Sequence, residues 1–365
     1  MSKSKYTSIG GQALIEGIMM KGPEKTSMAV RLPDGSIDIS EVEEHHLRDK
    51  SSFFALPVIR GVVNLVESLI TGYKTLMLSA EKSGLTDLEE QTETASDTKE
   101  ATDAAQTESV SEEQTEAALP TEPTEETEPT EEKEKSMEEI RSEVTSDSKL
   151  MTFITVAASV LGVVLAVVLF MWLPSLLFGW VDKLTGGFLL AHNLKALFEG
   201  ILKIAIFLAY VAAVSLMNDI KRVFMYHGAE HKTIFCYEAK KELTVENVRG
   251  FRRFHPRCGT SFIFLVLIVS ILLTSVLTLI LPDAIITKNI IWVPIKILMI
   301  PLVCGLGYEL IKVCGKYDNL FTRIVSAPGL WVQRLTTKEP DDSMIEVAIA
   351  AVKEVIPESS EGEIV

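Results

Sequence analysis

The sequence predicts an α-helical integral membrane protein, with about four transmembrane helices and a small β-containing N-terminal cytosolic cap. Two observations carry that expectation. The 365 residues combine a mean hydropathy of +0.25 with a formal net charge of -15, values that conflict for any uniform chain. Residues 87–149 hold 22 acidic and 5 basic residues, which leaves 28 acidic and 30 basic residues elsewhere. The acidity therefore belongs to one insert. The second observation is a run of 32 residues without a charge, Leu150 to Val181, well beyond the roughly 20 that cross a bilayer. A collagenous chain, a disulfide-stapled secreted domain and a wholly soluble enzyme are excluded; four Cys are too few and too scattered for a staple framework.

Residues 1–55 read as a β-rich cap. Thr26–Leu32 and Ser36–Ile39 flank Pro33-Asp34-Gly35, which has the chemistry of a hairpin turn. The glycines at 10, 11, 17 and 22 resemble phosphate-loop punctuation. No Gly-Lys-Ser/Thr follows, so a structural turn is the better reading. Residues 56–86 form an amphipathic helix, with Val58, Val62, Leu65, Val66, Leu69, Tyr73, Leu76 and Met77 on one stripe. That helix would lie on the membrane surface or pack on the cap. Residues 87–149 lack Phe, Trp and Tyr and read as a disordered acidic insert.

Residues 150–217 supply the first two spans, with Pro174 ending or bending the first and Glu199 pairing with Lys203 in the second. Residues 261–312 supply the third and fourth, where Lys296 snorkels to the outer interface. Between them the 218–260 connection carries nine Lys or Arg, whereas the other two connections carry two and one. The positive-inside bias places this connection and both termini in the cytoplasm of a multi-pass cell-membrane protein. The tail, 313–365, closes on an amphipathic helix opened by the capping-box pattern Ser343-Met344-Ile345-Glu346.

Chemistry concentrates in the 218–260 connection, where His227-Gly228-Ala229-Glu230-His231 gives H-x-x-E-H. On a helix, His227 and His231 lie one turn apart on one face, so both imidazoles reach one cation. His255-Pro256-Arg257-Cys258 follows and could supply His255, Cys258 or both. Mixed nitrogen and sulfur donors suit Zn²⁺. Four ligands, His227, His231, His255 and Cys258, would make a full, structural site; with one of them out, a position opens for water and Glu230 becomes the general base. The plainer alternative puts the two histidines at the headgroup level and Cys258 in the core as a small apolar group.

Gly10-Gly11-Gln12-Ala13, Glu16-Gly17, Pro57-x-x-Arg60-Gly61, the His227–Lys232 block, His255–Phe262, Pro328-Gly329-Leu330 and Thr336–Pro340 resemble the YqhQ-like family (DUF1385). Everything except the acidic insert takes part in the resemblance. It implies a bacterial multi-pass membrane protein, of a kind described as a predicted metal-dependent enzyme. The function expected is a zinc-dependent hydrolase at the membrane surface, with His227, His231 and His255 as ligands and Glu230 as base. The rival is a non-catalytic adaptor or insertion factor whose basic cytosolic face docks a protein partner. A transporter ranks third, for want of an intramembrane charge cluster beyond Lys296. Besides the lipid bilayer, nothing in the sequence points to nucleic acid as a partner.

Overall fold

A computed structural model describes residues 9–43, 51–84, 156–191, 193–317 and 319–357. The acidic insert expected at 87–149 lies outside the described residues. The chain divides into two units, residues 92–169 and the remainder. Of the smaller unit only 156–169 is described; it is helical, and nearly all of its side chains are exposed.

Within the larger unit, strands β1 (Gly10–Leu14), β2 (Gly17–Lys21), β3 (Thr26–Arg31) and β4 (Ile37–Val42) form an antiparallel meander in sequence order. The Pro33-Asp34-Gly35 turn is present, with Gly35 at φ +85° and Asp34 Oδ1 accepting from Ser36 N–H at 2.9 Å. The Gly-rich segment is itself a hairpin rather than a loop: Gly11 pairs with Met20 and Leu14 with Gly17. Its alternation was hidden because Gly17–Met20 of β2 is buried on both faces and so reads as a continuous apolar run.

Among the described residues nine helices of ten or more residues follow: α1 (Ile59–Lys82), α2 (Val156–Leu184), α3 (Lys195–Val214), α4 (Asn218–Glu238), α5 (Gly259–Ile280), α6 (Asn289–Leu298), α7 (Ile300–Lys316), α8 (Leu320–Thr336) and α9 (Asp342–Val355). Helices α4 and α9 cover one sheet face. Ile18, Met20, Ala29, Tyr226, Ile234 and Val347 are among the residues of that core. Leu76 of α1 packs on the other face, against Leu14, Met19, Met28 and Val30. The far end of α1 meets α7, where Arg60 Nε donates to Glu309 Oε1 at 2.7 Å and Asn64 Nδ2 to the Tyr308 hydroxyl at 2.6 Å. Helix α1 thus joins the sheet to an apolar helix.

Helices α2, α3 and α5 are long and apolar enough to cross a membrane, and α6 and α7 qualify together as a pair bent by 42°. Two details differ from expectation. Of the two roles expected for Pro174, ending the span is not met, since α2 runs ten residues further to Leu184; the widened turn at Val168–Trp172 lies directly before Pro174 and accommodates its missing N–H donor. The fourth segment is broken at Met299, because Pro301 sits in the first turn of α7 and cannot continue the ladder of α6.

Among its described residues the tail holds a second helix besides the expected one. Helix α8 packs along α5, and α9 begins with Asp341 rather than at the Ser343 capping box. Asp341 Oδ1 accepts from Met344 N–H at 3.0 Å, a carboxylate being favoured at the positive helix end. Glu346, the other half of the expected box, reaches Arg31 at 3.0 Å instead.

Candidate metal centre

Helix α4 presents His227 and His231 one turn apart, their ring centroids separated by 4.4 Å. Gly228 between them lies flush against the extended segment after α8. A Cβ there would stand 2.0 Å from the Lys338 carbonyl oxygen. That close approach explains a glycine inside a helix, and it lets the Thr336 carbonyl meet the neighbouring imidazole. The His227 Nδ1–H donates to Thr336 O at 2.8 Å, and the His231 Nδ1–H donates to Arg253 O at 2.5 Å. Both bonds fix the tautomer that leaves Nε2 with its lone pair, the arrangement metal-ligating histidines use.

The third donor is Cys258. It is the N-cap of α5, and its Sγ accepts from Thr260 N–H at 3.5 Å and lies 3.1 Å from His227 Nε2. Burial alone would raise its thiol; the charge and hydrogen bond of His231, with Thr260, outweigh that and hold it below the usual range. Burial pushes His231 below the ordinary imidazole value, with His227 adding to the effect and Cys258 opposing it. One donor atom from each of His227, His231 and Cys258 lies within 4.8 Å of the others. Tetrahedral Zn²⁺ needs nitrogen and sulfur about 3.5 Å apart; His227 Nε2 and Cys258 Sγ, at 3.1 Å, are near that separation.

His255, expected as a ligand, stands beside this group. Its backbone is clamped from both sides by Gln333, whose Oε1 accepts from His255 N–H and whose Nε2 donates to His255 O, each at 2.7 Å. Its Nε2 is turned towards Glu238 Oε2 at 3.7 Å, and its ring leans on Phe235 at 4.7 Å. Cys236 is also apart, its thiol pointing at the Glu242 carbonyl. Glu230 is buried against β1, where a Cβ on Gly11 would lie 3.1 Å from its carboxyl carbon. Burial raises its carboxyl to about 7, the Cys258 charge adding to this and His227 opposing it, and its Oε2 has no hydrogen-bond partner.

Sequence reasoning did not find Gln333, Thr336 or the Arg253 carbonyl. The glycine inside H-x-x-E-H was a readable sign of a close backbone neighbour; nothing marked Gln333. The expected pairing of Glu199 with Lys203 is also replaced. Glu199 accepts from Lys296 at 2.7 Å and from Ser175 at 2.5 Å, and Lys296 is buried rather than at an interface. Helix α6 lies against the bundle, so Lys296 meets Glu199 more readily than water.

Fold and site together define a mostly helical chain with, among the described residues, three candidate membrane-crossing helices, a small antiparallel sheet and a His/His/Cys donor cluster in which His231 and Cys258 are buried and His227 half-buried. Its sequence places it among relatives. The chain belongs to the DUF1385 family of proteins of unknown function, whose profile matches residues 56–358. It is 30% identical over 361 residues to the uncharacterized protein YqhQ of Bacillus subtilis (strain 168), covering 98% of this chain and 95% of that one. No solved structure matches it.

Proposed function

We propose that this is a multi-pass cell-membrane protein whose cytosolic side carries a zinc-dependent hydrolytic site. The observation that supports it best is a donor set of three, His227, His231 and Cys258, beside an unpartnered Glu230 carboxylate oxygen. Catalytic zinc sites hold three protein ligands and keep a fourth position for water, whereas structural ones are filled. Zn²⁺ would supply Lewis acidity and a water acidic enough to ionise near neutral pH. Thr336 O and Arg253 O hold the two imidazoles in the ligating tautomer. Glu230 takes the proton of the attacking water, and a carboxyl near 7 suits a base working near neutral pH. The basic 218–260 segment supports placing this side in the cytoplasm.

Burial favours a second reading. Glu230, His231 and Cys258 are 4%, 1% and 8% exposed, which fits a metal that staples α4 to α5 in a non-catalytic adaptor docking a protein partner. One variant separates the two. Glu230→Gln, purified in detergent and assayed for metal by elemental analysis, should keep stoichiometric Zn²⁺ and lose the cellular function measured by complementation. Full complementation by Glu230→Gln rejects the hydrolase, and absence of stoichiometric metal from the wild type rejects both.

A further inference from the structure

Independently of the metal centre, we propose that a cavity among the apolar helices binds an anionic group on an apolar carrier, a carboxylate or phosphate ester. The bundle buries three lysines and one glutamate: Lys195, Lys203, Lys296 and Glu199 are all at most 8% exposed. Glu199 is shared by two of the lysines, Lys296 at 2.7 Å and Lys195 at 3.8 Å. Lys195 also donates to the Ile286 carbonyl and lies over the Phe178 and Trp292 rings at 5.3 and 5.6 Å. Lys203 makes no hydrogen bond or ion pair among the described residues. With the four groups ionised, two positive charges stand uncompensated in an apolar interior, and a bound anion would offset them.

A cavity of about 170 Å³ adjoins this cluster, and Lys203 and Lys296 both line it. At about 30 Å³ per water, it has room for roughly five waters, or for a headgroup with a few methylenes. Its remaining polar lining is hydroxyl, Ser270 and Thr274, and the rest is apolar, including Val266 and Val303. A separate feature points the same way. The break between α6 and α7 sets Ile300, the first residue of the 17-residue α7, in the cavity wall. Its helix end brings positive partial charge to the same space as the two ammonium groups. Broken helices inside membrane bundles use such ends to hold anionic groups.

The test uses the full chain in nanodiscs of neutral phosphatidylcholine, with thermal midpoint and calorimetric titration as readouts. The probes are octanoate, inorganic phosphate, and discs containing phosphatidylglycerol. A saturable rise of midpoint with octanoate supports the proposal. A response to phosphatidylglycerol alone supports it with a lipid headgroup, whereas a response to inorganic phosphate alone, which has no apolar carrier, overturns it. Lys203→Met should weaken the responding probe at least tenfold, and Lys203→Arg should restore it. Without ligand, Lys203→Met should unfold no earlier than the wild type, since it removes an unpaired buried charge, so lost binding is not lost folding. A wild type indifferent to all three probes overturns the proposal whatever the variants do. So does equal binding by Lys203→Met.

Discussion

Substituting Gly228 by alanine is a sharp test of how the donor cluster is built. The added Cβ would sit 2.0 Å from Lys338 O, where ordinary carbon–oxygen contacts begin near about 3.3 Å. Helix α4 and the 336–340 segment must separate by more than about 1 Å, and the obstacle is backbone, which cannot swing aside. Two hydrogen bonds cross that gap, Lys338 N–H to Phe224 O at 2.8 Å and His227 Nδ1–H to Thr336 O at 2.8 Å. Overpacking costs about 1–3 kcal/mol, and weakening two hydrogen bonds adds about 1 kcal/mol each. Alanine returns about 1 kcal/mol of helix propensity. The net loss is about 2–4 kcal/mol, or roughly 4–16 °C in midpoint for a unit of this size. Freed from Thr336, His227 loses its fixed tautomer, and zinc affinity should fall about 10–100-fold. Thermal unfolding in detergent with a zinc titration reads both quantities. Gly179→Ala, inside α2 where a Cβ meets nothing within 4 Å, is the control and should gain up to about 1 kcal/mol of helix propensity. A Gly228→Ala protein that melts with the wild type and binds zinc equally well would refute the packing argument.

His231→Ala and Cys258→Ala should be non-additive in stability when Zn²⁺ is saturating, since both ligate one ion, and closer to additive in chelator; equal coupling in both conditions would show no shared metal. Glu339 holds the buried Lys232 and also Arg253, at 3.0 Å, so Glu339→Gln should cost about 2 kcal/mol by denaturant titration, less than a fully buried pair because Glu339 is exposed. Burial would raise the Glu339 carboxyl, but Lys232 and Arg253 hold it below the usual range. Its contribution is therefore present above the ordinary glutamate value of about 4.3 and lost as pH falls through the depressed one; a wild-type advantage over Glu339→Gln that persists at pH 2 would contradict this. A reporter fused after Glu242 should report the cytoplasm and one after Gly187 the exterior; the reverse pattern removes the proposed orientation.

The parts of the fold legible in the sequence are those written in local pattern. Charge-free runs marked α2 and α5, and Pro33-Asp34-Gly35 marked the β3–β4 turn. His227 and His231 needed only a helical repeat to be placed together. What escaped depends on distant partners. The Gly10–Lys21 hairpin read as a structural turn because Gly17–Met20 is buried on both faces, which erases the alternation of β2. His255 resembled a ligand by spacing, yet Gln333, 78 positions away, clamps its backbone and sets its ring towards Glu238. Lys296 was assigned to an interface because Glu199 lies 97 positions away in the chain.

The sheet and the last helix are neighbours in space and strangers in sequence. Lys25 pairs with Glu354 at 3.2 Å, Arg31 with Glu346 at 3.0 Å, and a Cβ on Gly22 would strike the Val355 carbonyl. At about 5–20 residues per second of synthesis, the strands emerge roughly 15–60 s before α9 exists. Throughout that interval Ile18, Met20 and Ala29, fully buried in the finished molecule, have only part of their cover. The nascent chain must carry a sticky half-built sheet while its apolar helices are being made. A stop codon anywhere before residue 342 leaves that surface open for good, so a shortened product is marked for quality control by its first forty residues.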